Sequence, residues 1–173
     1  MTDVTKRNRG RWAEARVEQC AALMERLGIA TLTKAATPVR VQRKAGKIVG
    51  AFFTGHASID FSGVLSDGSA VHVEVKSTTA KTLPLSRRVS VTQRAALNEA
   101  LRWTPHVYVL AVFAGPPLRW YLLPWADARA WATADPMRPE VADCVASDLF
   151  LRGVVQSDVD EAKARRSAEG RGR

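Results

Sequence analysis

Residues 58–76 read Ser58-Ile59-Asp60-Phe61-Ser62-Gly63-Val64-Leu65-Ser66-Asp67-Gly68-Ser69-Ala70-Val71-His72-Val73-Glu74-Val75-Lys76, and the rest of the chain is arranged around what they form. Ile59, Phe61 and Val64 mark one short strand. Val71, Val73 and Val75 then alternate strictly with His72, Glu74 and Lys76, the period of a second strand. Between the two stands Asp67-Gly68, a dipeptide that readily supplies the positive φ of a tight hairpin turn. Successive side chains point to opposite faces of a strand, so the valines share one face while Glu74 and Lys76 share the other. Asp60, alternating with Ile59 and Phe61, is predicted on the first strand, where it meets Glu74 on that same face.

Two carboxylates and a lysine gathered on a sheet face suit a particular chemistry. Magnesium is a hard cation that takes oxygen ligands in near-octahedral geometry and engages one or two protein carboxylates, leaving water and phosphate to fill the other positions. Asp60 and Glu74 supply such a pair, and the backbone carbonyl of Val75 offers a third oxygen; Mn2+ is the natural substitute for Mg2+ on these ligands. Lys76 is placed to orient or deprotonate a water for attack on phosphorus and to offset the negative charge that develops. This is the pattern of a metal-dependent nuclease. The competing reading takes the alternating charges as the solvated face of an antiparallel sheet.

The chain has 173 residues, 46% hydrophobic and 25% charged, enough for one domain with a real core. Its formal net charge of +9 and sequence pI near 10.3 favour a polyanionic partner. Cys20 and Cys144 are the only cysteines; they form neither a disulfide framework nor a zinc signature. No signal-peptide core follows the first methionine and no apolar run is long enough to span a bilayer, so the expectation is a cytoplasmic protein without a membrane partner.

Between Arg9 and Leu27 the apolar Ala13, Val17, Cys20, Met24 and Leu27 recur at helical spacing, and Gly28 stops the helix. Glu14 lies at the edge of that seam; taken alone, it reads as a solvent carboxylate favoured by the helix dipole. Ile29 to Thr33 is predicted as a strand that Thr37-Pro38 breaks. Val39 and Val41 alternate with Arg40 and Gln42, and Lys44-Ala45-Gly46-Lys47 turns the chain into a returning strand, Ile48 to Thr54. The product is a basic hairpin at about residues 38–54. Arg40, Arg43, Lys44 and Lys47 here, with Arg87 and Arg88 further on, are candidate phosphate contacts, which position DNA without reading its sequence; solubilising charge is the plainer reading. His56 reads as a loop residue.

The Lys81–Arg88 segment is predicted as a loop. Ser90-Val91-Thr92-Gln93 fits a capping box for a helix running to about Trp103, which gives Gln93 a structural task of its own. Val107 to Phe113 is a continuous apolar run, a buried strand. Gly115-Pro116-Pro117 turns the chain into a further strand, Trp120 to Leu123. Two short helices follow, Trp125 to Thr133 and Glu140 to Val145, separated by Asp135-Pro136. Trp103, Trp125, Trp131 and Phe150 either finish the core or line an interface. Residues 1–156 are predicted as a single domain and 157–173 as a basic, disordered tail.

Several marks along this chain resemble one family: Asn8-Arg9-Gly10 followed by Glu14, Thr37-Pro38-Val39, Ser58-Ile59-Asp60-Phe61-Ser62-Gly63, Glu74-Val75-Lys76, Leu83-Pro84-Leu85, and Gln93 opening a helix. They resemble, over about residues 8–125, the RecU-type Holliday junction resolvases (the penicillin-binding-protein-related factor A family) of the PD-(D/E)XK nuclease superfamily. The resemblance implies an α/β, restriction-endonuclease-like fold, a mixed central β-sheet flanked by the Glu14 and Gln93 helices. It implies a Mg-dependent, structure-selective endonuclease acting on branched DNA, the four-way junction. Asp60, Glu74 and Lys76 are then catalytic, with Glu14 and Gln93 in support. The basic hairpin is shorter than the family's stalk, and Ile59 stands where the superfamily name has proline. Resolution takes two nicks on opposed strands, so a two-fold homodimer is expected. The alternatives are another nuclease of this superfamily, acting on duplex or flapped DNA, and a non-catalytic DNA-binding recombination accessory protein.

Overall fold

A computed structural model describes residues 6–36, 39–44, 46–53, 59–131, 148–152 and 154. The predicted break at Thr37-Pro38, His56, the Glu140–Val145 helix, Cys144 and the 157–173 tail lie outside the described residues, as do the side chains of Arg40, Arg43 and Trp131.

Helix α1 (Lys6–Arg26) starts earlier than the expected Arg9. Its seam of Ala13, Val17, Cys20 and Met24 is buried as the spacing predicts. Leu27 is not; it is 51% exposed because the chain is already leaving the helix. Gly28 adopts φ 62. Its N–H donates to the Glu25 carbonyl, and the Ile29 N–H donates to the Met24 carbonyl. These paired bonds satisfy helix-end carbonyls that would otherwise lack donors.

The strands β1 (Ala30–Lys34), β4 (Phe61–Leu65), β5 (Ala70–Thr78), β6 (Val107–Phe113) and β7 (Arg119–Pro124) form one sheet in the order β1-β4-β5-β6-β7. Strands β2 (Val39–Lys44) and β3 (Lys47–Phe53) form a separate antiparallel ribbon, with a register shift between Gln42 and Arg43. Between β4 and β5 the Gly68 N–H donates to the Leu65 carbonyl and the Leu65 N–H to that of Ser69, closing a three-residue loop with Gly68 at φ 88.

The sheet is mixed because β5 and β6 run parallel while the other pairs are antiparallel. Parallel neighbours need a crossover. Here it carries α2 (Leu85–Arg88) and α3 (Val91–Ala100). The helical turn α2 corrects the loop expected over residues 81–88; Leu83, Leu85 and Val89 are all buried and draw the segment onto the protein. Helix α3 ends at Ala100 rather than near Trp103, which is 79% exposed.

Two apolar layers sandwich the sheet. On one side α1 packs Val17, Cys20 and Met24 against Phe61, Val71, Val73 and Val75, and Phe150 joins them. On the other, Leu97 of α3 and Ala128 of α4 (Trp125–Trp131) cover Val109, Ala111 and Leu123. Every residue of β6 is buried, as a strand covered on both faces requires. Trp125 and Phe150 finish the core, and the indole N–H of Trp125 donates to Asn98 Oδ1 at 2.8 Å. The molecule is therefore α/β with helices on both faces of a mixed sheet, a restriction-endonuclease-like arrangement. Among the described residues no helix is long and apolar enough to cross a membrane.

Candidate active site

Strand β4 begins at Phe61, so Asp60 is not the strand residue its alternation predicted; it occupies the bend just before. The reason lies in its bonds. Its carbonyl accepts from the Ala35 N–H at 2.8 Å, and its own N–H donates to Glu74 Oε2 at 3.2 Å. Its carboxylate Oδ2 accepts the Val75 N–H at 2.8 Å. The pairing of Phe61 with Val73 leaves Val75 beyond the end of β4, so the aspartate side chain stands in for the missing ladder partner. One residue thus caps β5 and faces the cavity beside it.

Glu74 alternates with the valines, as predicted, but the face it occupies is not wet. Covered by the α3 side of the molecule, it has no exposed surface, which overturns the solvated-face reading. A buried carboxylate must find donors, and both of its oxygens do. Oε1 accepts from Lys76 Nζ and, at 2.5 Å, from Gln93 Nε2; Oε2 accepts the Asp60 N–H. Burial pushes its pKa up from the ordinary 4.5 to about 7; the Lys76 ammonium pulls against this, and the Asp60 charge adds to it.

Gln93 combines its capping task with a place at this cluster. Its Oε1 accepts the Ser90 N–H at 3.1 Å while Ser90 Oγ accepts the Gln93 N–H at 3.2 Å, a complete capping box at the start of α3. The remaining amide donor of the same side chain points at Glu74. Capping fixes the rotamer, and the fixed rotamer aims the amide.

A cavity of about 240 Å³ opens beside these groups. Gly10 and Glu14 of α1 form one wall; Asp60 and the β5 residues Val75, Lys76, Ser77 and Thr78 form another. Arg88, at the end of α2, completes it. Glu14 therefore lies at the same cavity as Asp60, although its nearest described charge is Lys34, whose Nζ stands 3.1 Å from Glu14 Oε2 and 2.6 Å from Glu18 Oε1. Arg87 is exposed and does not line the cavity. Lys44 and Lys47 face each other across the end of the ribbon, both exposed.

Nothing in the sequence marks Lys34 as a participant. It is one more lysine on an edge strand, and only the β1–α1 packing brings it to Glu14. Ser62 and His72 carry no local signal of their pairing either. They are direct partners in the β4–β5 register, with Ser62 Oγ 2.9 Å from His72 Nδ1, and burial lowers the pKa of the imidazole.

Among the described residues no group of three or more His, Cys, Asp or Glu is arranged to hold an ion. Magnesium does not need one, since one or two carboxylates with water and phosphate suffice. Asp60 and Val75 line the cavity, and Glu74, buried beside Asp60, completes an all-oxygen set. The donor chemistry fits a hard divalent cation.

Fold and cluster together define the class, a restriction-endonuclease-like core with an Asp–Glu–Lys constellation at the exit of its central strand. A family model described as Recombination protein U matches residues 8–138, from the start of α1 past the end of α4. The chain belongs to the RecU family, the Holliday junction resolvases of recombination, which act on branched DNA. No curated protein matches the sequence closely enough to count as a relative.

Proposed function

We propose that the protein is a magnesium-dependent endonuclease that resolves four-way DNA junctions, working as a homodimer in the cytoplasm. The observation that carries the catalytic reading is the convergence on Glu74: a fully buried carboxylate held by Lys76 and Gln93 on one oxygen and by the Asp60 backbone on the other. A sheet surface has no use for so costly a burial.

Asp60, Glu74 and the Val75 carbonyl would hold Mg2+, with Mn2+ as a substitute. When bound, the ion polarises a water and the scissile phosphate. The protein's own groups do the rest. Lys76, an ammonium paired with Glu74, orients the attacking water and offsets charge on the pentacoordinate phosphorus as the P–O bond to the leaving strand end breaks, while the water's proton passes to solvent. Gln93 keeps Glu74 in one rotamer through the capping box. Glu14 lies across the cavity from Asp60 and supports the site from α1. Arg88 at the cavity, with Arg87, Arg40, Arg43, Lys44 and Lys47, supplies phosphate contacts that give affinity without sequence preference.

The test is cleavage of a mobile four-way junction and a matched linear duplex, with and without magnesium. Wild type should nick the junction selectively and only with the ion. Asp60→Asn and Lys76→Ala should each lower the rate by about 100-fold or more while DNA binding persists, because binding rests on phosphate contacts. Near-normal cleavage by Lys76→Ala refutes the role given to that residue. Equal cleavage of both substrates favours a general nuclease, and binding without cleavage an accessory protein.

A further inference from the structure

Gly10 has no described reason, inside the protein, to be glycine. It is the fifth residue of α1, past the first turn, in helical backbone that any residue adopts. A Cβ built there meets no described atom within 4 Å. Gly63 is the opposite case, since a Cβ on it would fall 1.7 Å from the Thr31 carbonyl oxygen. Gly28 is different again, held at φ 62. Glycine is among the poorest residues for a helix interior, because it loses the most backbone freedom on folding. The helix tolerates it at a position that lines the cavity, one turn before Glu14 and across from Asp60 and Lys76.

A cost with no return inside the fold calls for a return outside it. Whatever occupies the cavity gains from coming closer to the α1 backbone than a side chain would allow. The surrounding chemistry says what that occupant is. Lys76 and Arg88 bring positive charge and Ser77 and Thr78 bring hydroxyl groups to the same cavity, while the carboxylates of Glu14 and Asp60, which also line it, would meet a phosphate through the divalent cation of the nuclease reading. Cations with hydroxyls and bare backbone are what a phosphodiester takes from a protein surface. We propose that Gly10 is a positioning residue: its missing side chain lets the sugar–phosphate strand being cut lie directly against α1, in line with Asp60 and Lys76. The inference rests on the nuclease reading and adds to it the wall that sets how deep the strand enters.

The test uses the full chain with Gly10→Ala and Gly10→Leu, both good helix formers. Three quantities are measured: Tm, affinity for a four-way junction in EDTA, and the single-turnover cleavage rate in magnesium. The proposal expects Tm to hold or to rise by about 2–4 °C. It expects the cleavage rate to fall with side-chain size, by about tenfold for Ala and about 100-fold for Leu, since a displacement of about 1 Å at a reacting centre has effects of this order. Affinity should weaken in the same order. A glycine kept for internal packing would show Tm falling in both variants, and that result overturns the proposal. Undiminished cleavage by Gly10→Leu overturns it too. If wild type itself fails to cut any DNA in magnesium, the nuclease reading fails and this inference falls with it. If wild type and both variants cut alike, only this inference falls.

Discussion

Glu74→Gln should change how the stability of the metal-free protein depends on pH. In the native state the buried Glu74 keeps its proton up to about pH 7, whereas its ordinary value is 4.5. Between those limits the folded chain holds more protons than the unfolded chain, so stability falls as pH rises. The penalty is absent below about pH 4.5 and complete above about pH 7. At about 1.4 kcal/mol per pH unit, it amounts to about 3 kcal/mol. Glutamine cannot titrate and lacks the effect. Its carbonyl can still accept from Lys76 and Gln93, but its amide then opposes the Asp60 N–H. That loss sets an offset between the two proteins, while the slope reports the Glu74 proton.

The assay is urea unfolding in EDTA from pH 5 to 8, followed by the fluorescence of the chain's five tryptophans. Wild-type stability minus variant stability should fall by about 2.5 kcal/mol across that range, since part of the penalty is already present at pH 5; this is equivalent to about 1–2 M in the urea midpoint. A flat difference curve would refute the reasoning, because it would mean that Glu74 is solvated or ionised throughout. Repeating the wild-type measurement at pH 8 in magnesium should restore stability if the ion binds at Glu74, and Glu74→Gln should recover much less.

Neutralising Arg40, Arg43, Lys44 and Lys47 together should weaken binding to every DNA and reduce the slope of log affinity against log salt by about 3–4, at about 0.9 for each phosphate no longer neutralised; an unchanged slope would remove the ribbon from the interface. Gly63→Ala should destabilise the protein by at least about 3 kcal/mol, because the added methyl would have to displace the β1 backbone at Thr31, and a thermal shift of less than a few degrees would contradict the close β1–β4 approach. Light scattering at micromolar concentration should give twice the chain mass of 18.9 kDa; a strict monomer would refute the homodimer.

Local pattern alone determined several parts of this protein. The alternation of Val71, Val73 and Val75 fixes β5 and the opposite faces of its side chains, since the period of a strand is set by backbone geometry. The Ala13-to-Met24 seam, the Ser90–Gln93 capping box and the apolar β6 are legible for the same reason; each is a relation between residues near in sequence. The Asp60, Glu74 and Lys76 spacing is the sequence's pointer to the chemistry we propose, because few reactions call for those groups together. What lies on the far side of a strand is not a local property. That Glu74 is buried rather than wet depends on α3 folding over its face, and that Asp60 leaves the ladder depends on an amide on β5 left without a partner. Lys34 reaches Glu14, and Gly10 reaches the cavity, only through the packing of α1 beside the sheet. Tertiary structure decided these because burial and proximity arise between segments distant in the chain, and no short stretch of sequence carries them.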